Sequence, residues 1–285
     1  MKEVPALRRP STYALRAVGL AAVVGLLAAC GSEPPARPDD IAPAPSVPGR
    51  PGLVWIGDLE TGDLSQFEDT PWNIARGGVP PEIVSDPEFV REGRHALMIS
   101  IPGPPSDEGT CCDPRAEVEP DIPDIRPGDD FFFSFSTKLA DDFPVDRAWQ
   151  VITQWKARAD GSPPLSLHVE KGQYMLQGGA GLSDDGPEPF KTELGPAVTG
   201  EWVDWMVHIK FSPDPQEGFV EIWQGGREVL ARFQPETGTM YPAEESGEGA
   251  ESYLKTGYYR ESDIDQPGTL YFDNWKVGTT RDAVA

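Results

Sequence analysis

Residues 202–211 read Trp202-Val203-Asp204-Trp205-Met206-Val207-His208-Ile209-Lys210-Phe211. Val203, Trp205, Val207, Ile209 and Phe211 fall on one side, and Trp202, Asp204, Met206, His208 and Lys210 on the other. That period of two belongs to a strand with one buried face. Outward from it, short apolar or alternating runs are cut by Gly, Pro, Asp and Ser clusters. They predict strands at 53–57, 95–101, 115–119, 131–139, 149–156, 164–170, 173–178, 218–224, 227–233, 253–260 and 269–277. No stretch carries a capped helical period over three turns. A dozen strands at this spacing predict an all-β chain folded as a two-sheet sandwich, a β-jelly roll or concanavalin-like fold. The domain spans residues 51–285, with a concave groove where a sheet face carries Arg, Gln, Lys or Tyr.

Composition agrees. A hydrophobic fraction of 38% with 8 Trp, 7 Tyr and 12 Phe can build a core, while 30 Gly and 31 Pro suit many turns and few long helices. The net charge of −23 offers no basic stripe and argues against a nucleic-acid partner.

The first residues read as an address. Lys2, Arg8, Arg9 and Arg16 precede an apolar run from Ala17 to Ala29, too short to span a bilayer comfortably but suited to a secretory signal. The run ends in Leu27-Ala28-Ala29-Cys30, followed by Gly31-Ser32, which resembles the lipobox of bacterial lipoproteins. Residues 1–29 are therefore expected to be a signal peptide and Cys30 a lipidation site, with the membrane met only through that anchor. The protein is expected on the cell surface, outside the cytoplasm. Residues 31–50 hold six prolines in twenty positions and read as a semi-rigid tether, so 30–50 forms the linker. The remaining cysteines, Cys111 and Cys112, are adjacent, and normal disulfide separations cannot be met by neighbours. With no CxxC and only His95, His168 and His208, a zinc site is not expected.

Four segments carry candidate chemistry. In Trp149-Gln150-Val151-Ile152-Thr153-Gln154-Trp155-Lys156, strict alternation puts Gln150, Gln154 and Lys156 on one face with Ile152. That face should line a groove or meet solvent, because burying Gln and Lys in a core is costly. In Tyr253-Leu254-Lys255-Thr256-Gly257-Tyr258-Tyr259-Arg260, Lys255, Gly257 and Tyr259 lie side by side, with Gly257 clearing space for a ligand or the whole serving as an ordinary edge strand. Arg115 and Glu117 share a face, either as a buried pair or with Arg115 forking onto a substrate carboxylate that Glu117 helps to frame. Glu60 near the start and Asp273 near the end offer hard oxygen ligands for a structural Ca²⁺, or simple Asx turns. No G-x-S-x-G, H-E-x-x-H or P-loop is present. Glu119-Pro120-Asp121-Ile122-Pro123-Asp124 faintly echoes the paired-carboxylate strand of sandwich glycanases, but its prolines disfavour a regular strand.

Taken in order, GDLETGDLSQF (57–67), RAEV (115–118), DDFP (141–144), WQVITQWK (149–156), PPLSLHV (163–169), EWVDWMVHIKFSPD (201–214), GFVEIW (218–223), YLKTGYYR (253–260) and YFDNWKVG (271–278) resemble the polysaccharide lyase family that includes heparin lyase I and the glucuronan lyases. The resemblance implies a jelly roll with a concave polysaccharide groove and cleavage of uronic-acid glycans by β-elimination. By the same resemblance Tyr259 is the catalytic Tyr, Lys255 its accompanying Lys, Arg115 the Arg of the RAE motif, and Gln154 the strand Gln that bonds the uronate carboxylate. The family pattern is expected to place His just after the QW pair, where this chain has Lys156. The base is then either Tyr259 itself or Lys156 with a depressed pKa. Gln150, His168 and Arg260 complete the expected substrate contacts. A uronic-acid polysaccharide is the expected partner, bound by a monomer, with an unsulfated uronan favoured over a sulfated one. A noncatalytic glycan-binding protein on the same fold is the alternative.

Overall fold

A computed structural model describes residues 47–68, 73–104, 113–182, 186–243 and 251–285. Cys30, residues 1–29, most of the tether, and Cys111 and Cys112 lie outside the described residues. The strands are β1 (Leu53–Gly57), β2 (Asn73–Ala75), β3 (Glu82–Val84), β4 (Ala96–Ile101), β5 (Arg115–Val118), β6 (Asp130–Leu139), β7 (Gln150–Ala157), β8 (Leu165–Glu170), β9 (Gln173–Gly178), β10 (Phe190–Pro196), β11 (Trp202–Lys210), β12 (Phe219–Gln224), β13 (Arg227–Phe233), β14 (Ser252–Arg260) and β15 (Gly268–Gly278). A 3₁₀ turn at Pro87–Phe89 and one helical turn, α1 (Arg281–Val284), complete the elements.

Two antiparallel sheets face each other. One runs β13-β12-β11-β6-β15-β4-β3, with β1 also pairing with β15; the other runs β10-β9-β8-β7-β14-β5-β2. The long strand β15 is shared along one edge, β4 meeting its first half and β1 its second. The all-β sandwich read from the sequence is thus present. The alternation of β11 is also as read: Val203, Trp205, Val207 and Ile209 are buried, their neighbours half-buried.

Both sheets feed one core. Phe133 and Phe135 of β6, Trp205 of β11 and Trp275 of β15 come from the first; Trp155 of β7, Tyr174 of β9 and Tyr258 of β14 come from the second. Phe135 stacks on Trp275 with centroids 4.0 Å apart, and Phe133 meets Trp155 edge-on at 5.2 Å. Each such ring brings roughly 150–250 Å² of surface out of water. These rings lock the second sheet's inner face and leave its outer face to polar residues.

The sequence reading misses β2, β3 and β10. The first two have three residues each, too few for a visible period. β10 is a largely exposed edge strand whose register slips near Gly195, so its alternation is diluted.

Candidate active site

The outer face of a flat sheet should be wet. On the second sheet it is not: Glu117, Gln154, Ser166, His168, Gln177 and Lys255 point away from the core, yet none exceeds 7% exposure. The face is recessed, and the recess is a cleft of about 350 Å³. Its floor comes from β5, β14, β7, β8, β9 and β10, and its wall from the loop through Gly161, Ser162 and Pro163. Four cations line it, Arg115, Lys156, Lys191 and Lys255, and among the described residues no carboxylate does, although the whole chain carries −23.

Strand register orders these side chains. Lys255 of β14 lies opposite Gln154 of β7, which lies opposite Ser166 of β8. In the neighbouring row, Tyr259 pairs with Arg115 on one side and with Val151 on the other, and Val151 pairs with His168. Toward the opposite end, Tyr253 pairs with Lys156. The Gln154–Lys255 row is therefore flanked by Lys156 on one side and by Tyr259 with Arg115 on the other.

Two bulges make this arrangement possible. Between Val151 and Thr153 the strand β7 gains a residue relative to β8, and between Thr256 and Tyr259 the strand β14 gains one relative to β7. A bulge inserts one residue and shifts side-chain parity. Trp149 and Val151 face the cleft before it, Gln154 and Lys156 after it, while Ile152 and Trp155 enter the core. On β14 the extra position is Gly257, opposite Glu117. A Cβ on Gly257 would stand 2.3 Å from the Ala116 carbonyl oxygen and 2.6 Å from the Glu117 Cα. Gly257 is thus required by the neighbouring backbone.

Glu117, 2% exposed, is the hub. Gln154 Nε2 donates to its Oε1; Asn73 Nδ2 donates to Oε2 at 2.8 Å, with Lys255 Nζ and Arg115 Nη1 each 3.8 Å from the same oxygen. The carboxylate thereby fixes three of the side chains expected to hold a substrate. Of the two sequence alternatives for Arg115, the pair with Glu117 is the one present; the side chain also lies over the Tyr259 ring, its Cζ 3.7 Å from the centroid. Trp149 meets the same ring edge-on at 4.9 Å. Tyr259 is held between a cation and an indole.

Lys156 carries a perturbed amine at the cleft. Burial, then repulsion from Lys255 and Arg115, lowers its pKa to about 8, against a weaker pull from Asp160 and Glu117. Its ammonium donates to the Ala159 carbonyl in the wall loop. His168 lines the cleft, but burial drives its imidazole down to about 3 and leaves it neutral near pH 7. Its Nε2 lies 2.7 Å from Ser166 Oγ, so it shapes the floor and brings no charge to a carboxylate.

Two expected contacts are displaced. Gln150 is fully buried on the core side, donating to the Pro144 carbonyl at 2.8 Å and accepting from Tyr258 Oη at 2.6 Å. The β7 bulge is the cause, since strict alternation would have kept it with Gln154. Arg260 is also fully buried, donating to the carbonyls of Gln266 at 2.6 Å and Gly103 at 3.2 Å. It follows Tyr259 by one residue and so points to the opposite face. Sequence reasoning did not single out Asn73, Ser166, Gln177 or Lys191 for the site. Ser166 and Gln177 were reachable from the alternation of β8 and β9, whereas Asn73 and Lys191 sit on strands with no readable period.

The expected Ca²⁺ pair lies away from the cleft. Glu60 Oε1 accepts from the backbone N–H groups of Arg94 at 2.7 Å and His95 at 3.1 Å. Asp273 Oδ2 accepts from those of Arg91 at 2.8 Å and Glu92 at 3.0 Å. Burial raises the Asp273 carboxyl to about 6. Among the described residues no group of three His, Cys, Asp or Glu gathers. The two carboxylates latch the 91–95 loop through its backbone N–H groups.

The sequence model of the family described as Polysaccharide lyase matches residues 59–276, well over half of the chain. The chain belongs to the polysaccharide lyase family. Comparison with curated protein sequences gives no match. Among solved structures, the endo-beta-1,4-glucuronan lyase from the fungus Trichoderma reesei superposes with a TM-score of 0.64 at 17% identity, covering 81% of this chain and 98% of that one. The GH131 beta-glucanase catalytic domain from Podospora anserina superposes with a TM-score of 0.51 at 13% identity, covering 80% and 96%. At these identities the likeness carries the jelly-roll fold, which polysaccharide lyases share with hydrolases, and the site must be judged on its own residues.

Truncating the hub should cost more than it removes. Glu117→Ala strands Lys255 and Arg115 without their counter-charge and is expected to lower unfolding stability by about 3–5 kcal/mol. Glu117→Gln keeps the shape and should lose less. Urea titration reads both; equal, negligible losses would show that Glu117 is not the support of the cleft.

Proposed function

We propose that this polysaccharide lyase cleaves a uronic-acid glycan by β-elimination. The observation that carries this reading is a cleft whose described lining residues hold four cations and no carboxylate, on a chain of net charge −23. Such a local field selects an anionic ligand against the repulsion of the whole molecule. A neutral-glycan hydrolase would instead need a pair of carboxyl groups across the bond.

The C5 proton of a uronate is weakly acidic, and removing it requires charge to move onto the adjacent carboxylate. Arg115, Lys255 and the Gln154 amide, fixed by Glu117, supply the donors that neutralise that carboxylate. Lys156 as free amine takes the C5 proton. The C5–H pair forms the C4–C5 double bond, the C4–O4 bond breaks, and Tyr259 gives its phenolic proton to O4. Proton return from Lys156 to Tyr259 through solvent resets the site. The flanking of the Gln154–Lys255 row by Lys156 and Tyr259 favours this division of labour over Tyr259 acting alone. An unsulfated uronan suits the modest number of cations.

Tyr259→Phe is expected to abolish the near-ultraviolet absorbance of unsaturated product while leaving the circular dichroism unchanged. Because the base must be unprotonated, kcat/KM should rise as pH increases through about 8, the Lys156 value. Lys156→Met should remove both the limb and most of the rate. An active Tyr259→Phe enzyme, or a Lys156→Met enzyme with the unaltered profile, would contradict these assignments.

We further propose that residues 1–29 are a lipoprotein leader and that acylated Cys30 anchors the domain to the outer side of a membrane through the proline-rich tether. Cys30→Ser is then expected to move the protein from the membrane fraction to the soluble one. Retention in the membrane fraction would refute the anchor.

A further inference from the structure

The register that places the reactive row also extends beyond it. Lys255 is opposite Gln154, Gln154 opposite Ser166, Ser166 opposite Gln177, and Gln177 opposite Lys191. All five line the cleft. One polar ladder therefore crosses five adjacent strands, with a cation at each end. Four inter-strand spacings separate the ends by roughly 19 Å. That distance exceeds one sugar and matches a short stretch of polysaccharide laid across the strands.

The far end is built, not incidental. Lys191 Nζ is 3.0 Å from both oxygens of Glu170, and Gln177 Nε2 donates to the same carboxylate at 2.5 Å. Lys171 adds a second ammonium 3.7 Å from Glu170, so two cations share one anion and the cluster keeps a positive charge. The Lys191 side chain is 42% exposed while that of Glu170 is only 11% exposed. The carboxylate is recessed, and the lysine side chain that covers it is partly exposed. Burial would raise the Glu170 carboxyl, but Lys191 and Gln177 outweigh it and hold it below its usual range, so the anchor stays charged near neutrality. Glu193, two residues along β10, is opposite Met175 in the His168 row. Strand β10 thus offers its cation to the ladder and an anion to the neighbouring row.

Resting on the lyase reading above, the geometry points to Lys191 as a distal anion subsite. It receives the carboxylate of a second uronate several sugars from the bond that breaks, so the cleft is matched to an internal stretch of a polyuronate and not to a chain end alone. Glu170 and Gln177 act as positioning residues for Lys191.

The test compares unbranched 1,4-linked glucuronate trisaccharide and octasaccharide on the full chain, the Lys191→Met variant and the Lys191→Arg variant. The ratio of kcat/KM for octasaccharide over trisaccharide is expected to fall about tenfold in Lys191→Met, through KM and not kcat, and to return in Lys191→Arg. Calorimetric binding of the two oligomers to Tyr259→Phe, with and without Lys191→Met, should show the same length-dependent loss. An unchanged ratio, or a loss equal on both lengths, overturns the distal subsite even if cleavage proceeds. If the oligomers bind with the expected length dependence and are not cut, the subsite stands and the lyase mechanism falls.

Discussion

One carboxylate, that of Glu117, gathers a glutamine, an asparagine, a lysine and an arginine in a place where water hardly reaches. An anion there without partners would be costly, and so would Lys255 and Arg115 facing each other without it. The network is stable only as a whole, which makes the positions of Gln154, Lys255 and Arg115 mutually dependent. Its existence rests on backbone geometry: Gly257, with no side chain, lets β5 and β14 approach closely where Glu117 sits, and the bulges bring Gln154 to the same oxygens. The same packing places Arg115 on the Tyr259 ring.

From this support the electrostatics follow. Lys156, Lys255 and Arg115 crowd one region, and Glu117 pairs with the last two from beneath. Burial, and then repulsion from the other two, hold the pKa of Lys156, the member not bound to that carboxylate, down at about 8. His168, the residue most often associated with proton transfer, is too deeply buried to carry charge. A cleft assembled this way treats lysine as its titrating group.

Much of the fold was legible because the first sheet alternates cleanly: in β11 every second residue enters the core, and the sequence says so. Lys255, Tyr259, Arg115 and Gln154 were legible too, from motif order and parity, and all four meet in the cleft. Gln150 was misplaced because a bulge has no signature in hydrophobic patterning, only in the paired strands. Arg260 was misplaced by its nearness in sequence to Tyr259, although parity alone sends it into the core, where its charge is met by carbonyl oxygens. Lys191 and Asn73 were invisible since they sit on an exposed edge strand and a three-residue strand, and what gives them meaning is the residue across the sheet.

The central claim is that the cationic cleft recognises and opens a uronate polymer. The most direct measurement mixes residues 31–285 with polyglucuronate, alginate and a neutral beta-1,4-glucan, and records near-ultraviolet absorbance and reducing ends together. The expected result is that both signals grow in step on a uronate polymer and neither grows on the neutral glucan. Reducing ends appearing without absorbance would mean hydrolysis, and cleavage of the neutral glucan would contradict the charge-based account of the cleft.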